Sequence, residues 1–446
     1  MTIDLLLCNV KACLEDDIIE CSVAIEKGRI VKIGKEATMP KADAKTDLHG
    51  LLLLPGLIDT HVHLRDEGKA YKEDFSSGTA AAAAGGFTTV LDMPNNEPVT
   101  MSAATLRNRM RTAERSILVN VGFYSEFPRN LGEIKEIVDE GAMAFKLFMT
   151  EQVGGLNINS DQDLLEAFAI LSKLKTLVAV HAEDRTMLKE AGHKLKQAGH
   201  NDIEAFLAAH TEAVEAVAVR RILSVVKQTN THAHFCHVST ESGLKLVCDA
   251  KNLAMPVTCE TTPHHLLLST DDLKKIGTQA ITMPPVREKQ HIDALWHGIK
   301  DHCIDTLGSD HAPHALDEKT VKSVWEVKVG IPGLETTLPL LLTEVNRGRL
   351  SVADVVRLMS LKPAEIFNLK SRGCLKEGSV ADFVVVDLKK NHKIDSSMFK
   401  SKAKYSPFNG RQVQGKPVKT YVEGILVMDE GEIVAHSGSG KIIRRE

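Results

Sequence analysis

Asp59-Thr-His61-Val-His63-Leu-Arg65 ends the first of a series of apolar runs, a strand signal carrying two histidines one residue apart. Strand geometry turns alternate residues to the same side, so His61 and His63 face one way, as two ligands of one metal must. Such a pair also fits two hydrogen-bonded loop histidines, and its spacing leaves both readings open. That run covers 53–64, and seven more follow at 88–94, 117–125, 144–149, 176–181, 232–239, 254–261 and 303–310. Each closes on polar residues and most are followed by a helical pattern. Eight strand–helix units predict a parallel (β/α)8 barrel of the TIM type, with its chemistry at the C-terminal ends of the strands. A doubly wound open sheet is the alternative, but no GxGxxG follows the first of these runs.

The helical stretches carry their own signals. Ser160 with Asp163 predicts a capping box ahead of Leu164, Phe168 and Leu171. Thr211 is placed to cap a helix whose apolar face is Val214, Ala218, Ile222, Val225 and Val226. The alanines at 80–84 followed by Gly85-Gly86 predict a closely packed helix end. Outside this middle region the pattern alternates with period two, at 5–10, 22–26 and 28–33 and again at 381–387, 418–422 and 425–428. These ends predict a small composite β-sandwich domain made of residues 1–52 and 374–446 around a barrel at 53–373.

With 55 basic and 59 acidic residues the net charge of the 446-residue chain is -4, which gives no electrostatic case for nucleic acid or an anionic membrane. Aromatic residues are only 4%, which also speaks against base-stacking platforms. The longest apolar run contains Pro55 and Gly56, far short of a bilayer span. Met1-Thr-Ile-Asp4 has an acid where a signal peptide carries positive charge, and the eight cysteines form no CxxC pair. Both points predict a cytoplasmic protein with reduced thiols. The unusual number is 19 histidines, as many as Phe, Tyr and Trp combined.

Their positions carry the argument. The fifth run ends at His181, the sixth at His237 and the eighth at Asp310, so four histidines and an aspartate converge on one rim. Imidazole with carboxylate suits zinc. Lys146, in the fourth run, is placed at the end of its strand and predicted to face inward, where a bare ammonium is costly to bury. An ion pair to an acid such as Asp310 and a carbamate formed with CO2 both answer that cost. Arg65, two residues beyond His63, offers a planar fork for a carboxylate.

The stretch 59–65, with Asp92-Met-Pro-Asn-Asn-Glu-Pro98, His234-Phe-Cys-His-Val-Ser239 and Ser309-Asp-His-Ala-Pro-His314, resembles the class I-like dihydroorotases of the amidohydrolase superfamily. Gly330-Ile-Pro-Gly-Leu-Glu335 and Ser401-Lys-Ala-Lys-Tyr-Ser-Pro-Phe408 extend the resemblance over nearly the whole chain. It implies two zinc ions: His61, His63 and Asp310 on one, His181 and His237 on the other, bridged by Lys146 as N6-carboxylysine and by a hydroxide. It further implies that Asp310 is the general acid/base and that Arg65, Asn95 and His314 bind the substrate carboxylate. The implied reaction is reversible cyclisation of N-carbamoyl-L-aspartate to L-dihydroorotate in pyrimidine synthesis, with lower pH favouring the ring because closure consumes a proton. Homodimer formation and association with aspartate transcarbamoylase are left open.

Two positions depart from the family pattern. Glu67 stands where proline is usual, which predicts a less rigid, more acidic rim, and Met283 stands where many relatives carry a polar residue. Met283 is therefore left out of the predicted site. His264, His265 and His311 are expected to pack or to orient ligands, and Cys236 to be a buried thiol. Rival activities are allantoinase and hydantoinase or dihydropyrimidinase. A non-catalytic scaffold is the rival of another class, though all six metal positions are present.

Overall fold

The computed structural model describes residues 2–14 and 17–445; Met1 and Glu446, the outer limits of the predicted terminal domain, lie outside them. Eight parallel strands run in sequence order: β1 (Leu57–Val62), β2 (Phe87–Asp92), β3 (Asn120–Ser125), β4 (Ala144–Phe148), β5 (Val178–His181), β6 (Ala233–Phe235), β7 (Val257–Thr261) and β8 (Thr306–Leu307). The sheet curls back on itself through a parallel bridge between Val62 and His311, where the His63 amide donates to the His311 carbonyl at 2.8 Å. Buried Asp59 reinforces the seam by accepting from the amides of His61 and Ser309. All eight predicted runs thus become barrel strands.

The first run, however, holds two strands rather than one. Leu52–Pro55 belongs to the terminal sheet, and β1 begins only at Leu57, after Pro55-Gly56 interrupts the ladder. The short segment pairs in parallel with Lys11–Ala12 and antiparallel with 383–386, joining the N-terminal strands to the C-terminal ones. Among the described residues the resulting sheet has nine strands, drawn from both ends of the chain. Near the C-terminus Ile442–Ile443 leaves this sheet and pairs with β3.

Helices between the strands bury the stripes their spacing predicts. Asp161–Lys173 is capped by Ser160, whose Oγ accepts from the Asp163 amide, and it buries Leu164, Phe168 and Leu171. The reciprocal half of the box is replaced by a bond from the Ser160 hydroxyl to the Asp163 carboxylate at 2.8 Å. Thr211 does stand at the N-cap of Glu212–Thr229, but its side chain makes no capping bond. The face of that helix, from Val214 to Val226, is buried as expected. Phe75–Ala84 ends at Gly85, where a Cβ would lie 2.2 Å from the Leu334 carbonyl oxygen, so only glycine fits without a shift. Inside the barrel Ile58, Leu91, Tyr124 and Ala179 pack in one cluster with Phe367 and Leu369. That filling closes the barrel interior below a cavity at the C-terminal rim of the strands.

The reduced-thiol expectation fails at one pair. Cys248, in the helix Glu241–Asn252, is bonded to Cys303 just before β8, with Cα atoms 5.7 Å apart. Their separation of 55 residues hid a proximity created where the helices Glu241–Asn252 and Lys289–Lys300 pack side by side. Among the described residues no helix is long and apolar enough to cross a membrane.

Candidate active site

A cavity of about 1000 Å³ opens at the C-terminal rim, and His61, His63, Arg65, Asn95, His181, His237, Asp310 and His314 all line it. The imidazoles form a chain: ring centres are 5.5 Å apart for His63 and His61, 5.1 Å for His61 and His237, and 4.6 Å for His237 and His181. Asp310 Oδ1 lies 3.4 Å from His61 Nε2 and 3.3 Å from His63 Nε2. These three side chains form a compact group able to hold a cation. His181 and His237 sit beside that group rather than in it. Arg65, His237 and Asp310 all adopt positive φ, a costly backbone state for such residues that a surrounding structure must enforce.

Three of the four imidazoles, those of His61, His63 and His181, are aimed by a partner on one ring nitrogen, the arrangement that fixes tautomers in metal sites. His61 Nδ1–H donates to Glu260 Oε1 at 2.8 Å, and His63 Nδ1–H donates to Asn95 Oδ1 at 2.7 Å. Both Nε2 atoms are thereby turned toward Asp310. His181 uses Nε2–H on Glu183 Oε2 at 2.8 Å, which leaves its Nδ1 free. Glu183 also accepts from His210 Nδ1–H at 2.8 Å. Burial works against both glutamates, yet their imidazole neighbours hold Glu183 and Glu260 well below the usual carboxylate range. Burial, reinforced by neighbouring cations, pushes His61 down to about 4 and His63 and His237 well below the ordinary histidine value. These three rings are therefore neutral near pH 7, the form that binds metal. The buried Nδ1 of His237 has no hydrogen-bond partner among the described residues.

Lys146 is fully buried on β4 and makes no ion pair with Asp310. Its Nζ donates to Cys236 Sγ at 3.1 Å and lies 5.0 Å from the Phe148 ring centre. Burial raises the Cys236 thiol to about 12, so it stays protonated and offers no counter-charge. His61, Cys236 and Glu260 also come close enough to suggest a cation site, but Glu260 is already engaged by His61 and by the Thr60 hydroxyl.

Arg65 is buried at the cavity wall, and among the described residues it pairs with no carboxylate. Its Nε donates to the Pro313 carbonyl at 3.2 Å. Asn95 spends its Oδ1 on His63 and keeps its amide hydrogens available. The Glu67 carboxylate turns away from the cavity to accept from Asn108 and Thr112, each at 2.8 Å, so it adds no acid to the rim. Met283 does line the cavity. His265 bonds Thr262 and the Pro284 carbonyl, and His311 is held by Glu73, both in supporting positions. Reasoning from the sequence missed Glu183, Glu260, His210, Lys69 and Lys72. The signal for the first lay in His181-Ala-Glu183, which repeats the one-residue spacing of His61 and His63.

The chain matches the model of the amidohydrolase family over residues 52–428. It is 39% identical to a dihydroorotase of Methanothermobacter thermautotrophicus over 438 residues, 98% of this chain and 97% of that one. It is 34% identical to an L-hydantoinase of Paenarthrobacter aurescens over 449 residues, 99% of this chain and 98% of that one. Among solved structures it superposes on an L-hydantoinase (dihydropyrimidinase) from Arthrobacter aurescens with a TM-score of 0.96 and 34% identity, covering 99% and 100% of the two chains. A D-hydantoinase structure follows at 0.92 and 27% identity, covering 100% of this chain and 99% of that one. Barrel, rim histidines and family match agree: this chain belongs to the amidohydrolase family.

Proposed function

We propose that the protein is a dihydroorotase, a cyclic amide hydrolase that interconverts N-carbamoyl-L-aspartate and L-dihydroorotate with two zinc ions. The observation that carries this choice is Arg65. A buried guanidinium without a carboxylate costs several kcal/mol, and a substrate carboxylate is the partner that removes this cost. Allantoin, hydantoins and dihydrouracil bring no such group. The likeness to L-hydantoinases supports the shared metal chemistry, while Arg65 favours an acidic ring.

The donor set fits a metal pair. His61, His63 and Asp310 would hold one ion, and His181 and His237 the other. Lys146, which makes no ion pair among the described residues, would serve both ions as N6-carboxylysine; taking up CO2 with loss of two protons turns a buried cation into an anion. When bound, such metals lower the pKa of water toward about 7 and polarise the carbonyl under attack. Asp310 then takes the proton of the attacking water and delivers it to the leaving ring nitrogen. In the direction of synthesis the same carboxylate moves the proton back. Arg65 and Asn95, with His314 beside them in the same wall, face the carboxylate left outside the reacting amide.

Asp310→Asn tests the assignment, because it removes the proton carrier and keeps a metal-binding oxygen. Turnover falls by about 10²–10⁴, while metal analysis finds most of the zinc retained. Activity close to wild type would overturn the role of Asp310.

A further inference from the structure

The wall around Arg65 holds more cations than the reading above uses. Lys72 is buried there, with Nζ 2.8 Å from Glu318 Oε1 and 3.0 Å from His314 Nδ1. Lys69 is half-buried, donates to the Asn95 carbonyl at 2.9 Å, and pairs with no carboxylate among the described residues. Both line the cavity that contains His61, His63 and Asp310. Among the described residues these three cations make a single ion pair, that of Lys72 with Glu318.

Hydrogen-bond accounting at His314 decides how they are used. Its Nε2 lies 2.9 Å from the Val329 carbonyl, which can only accept, so Nε2 carries the proton. Nδ1 is then a lone pair, and Lys72 donates to it. Arg65 Nη2, at 3.2 Å from Nε2, faces a second donor and keeps its hydrogens for another acceptor. Burial and the cations Arg65 and Lys72 hold His314 far below the ordinary histidine value, so it stays neutral. Both ring nitrogens are occupied, and His314 has no N–H to offer a carboxylate. Lys72 has spent two of its three hydrogens and Lys69 one of three.

We infer that the substrate carboxylate is gripped by Arg65, Lys69 and Lys72 together, and that His314 is a positioning residue that aims Lys72. This rests on the proposed activity, and it names two specificity-determining lysines beyond the expected contacts. Such a receptor selects small organic acids whose anionic group stands away from the reacting amide, and it discriminates against neutral rings.

The test is steady-state kinetics of zinc-loaded Lys69→Met, Lys72→Met, His314→Ala and the double variant Lys72→Met/His314→Ala on L-dihydroorotate. Each lysine variant raises KM by about tenfold or more, the value of a charge-assisted bond, while kcat changes by less than about threefold and zinc content holds. Because His314 acts through Lys72, the double variant has the KM of Lys72→Met within about twofold. Multiplying effects would show that His314 grips the carboxylate itself, and an unchanged KM in Lys69→Met would remove that lysine from the receptor. Should Lys72→Met fail to fold, Lys69→Met decides alone, since Lys69 holds only a main-chain carbonyl. Wild-type turnover of dihydroorotate is the control: its absence overturns the proposed activity, whereas its presence with unmoved KM values overturns only the receptor.

Discussion

His61 and His63 show how an active-site histidine is made from two bonds rather than one. The atom aimed at the cavity is chosen by the bond at the other end of the ring, to Glu260 for His61 and to Asn95 for His63. Glu183 serves His181 and His210 in the same way. The ligand candidates were legible because each closes an apolar run, where an unexpected polar residue stands out. Glu260 was not, because a single acid inside 254–261 reads as one more polar residue at a strand end. Lys69 and Lys72 lie in the loop after β1, where no period says which side chains turn inward. Glu183→Gln keeps the size of the side chain but can accept from only one of the two imidazoles. Zinc affinity, measured by chelator competition, is expected to fall roughly 10–100-fold. An unchanged affinity would show that Glu183 does not orient a ligand.

At the scale of elements, the eight strands could be read from apolar runs closing on polar residues, and the structure places all of them within a few residues of the expected spans. The merged first run failed because apolarity does not mark which sheet a strand joins; Pro55-Gly56 was the available sign of the break. Thr211 occupies a capping position without capping, since position depends on local sequence and the bond on the rotamer. Gly85 carries a steric prediction. Its φ of -79° suits alanine, but the added Cβ would meet the Leu334 carbonyl at 2.2 Å. Gly85→Ala is therefore expected to cost about 1–3 kcal/mol through forced displacement, visible as a lower Tm. An unchanged Tm would show that the helix Leu334–Asn346 yields freely.

Over the whole molecule, composition excluded more than it identified. The balance of charge removed nucleic acid and membranes from consideration, and the histidine excess pointed to metal only once the strand ends were known. Long-range facts stayed hidden: Cys248 meets Cys303 because two successive outer helices pack side by side, and the 401–408 segment reaches the rim, where Tyr405 Oη accepts from the His314 amide. Substrate choice also belongs to this scale, since the proposed metal ligands and a cationic wall meet at one cavity. Turnover of L-dihydroorotate, allantoin and dihydrouracil by the purified protein, with zinc counted per chain, examines that combination in one measurement. Turnover of L-dihydroorotate alone with two zinc ions per chain is the predicted result; turnover only of a ring without the carboxylate, or a metal-free inactive protein, would contradict it.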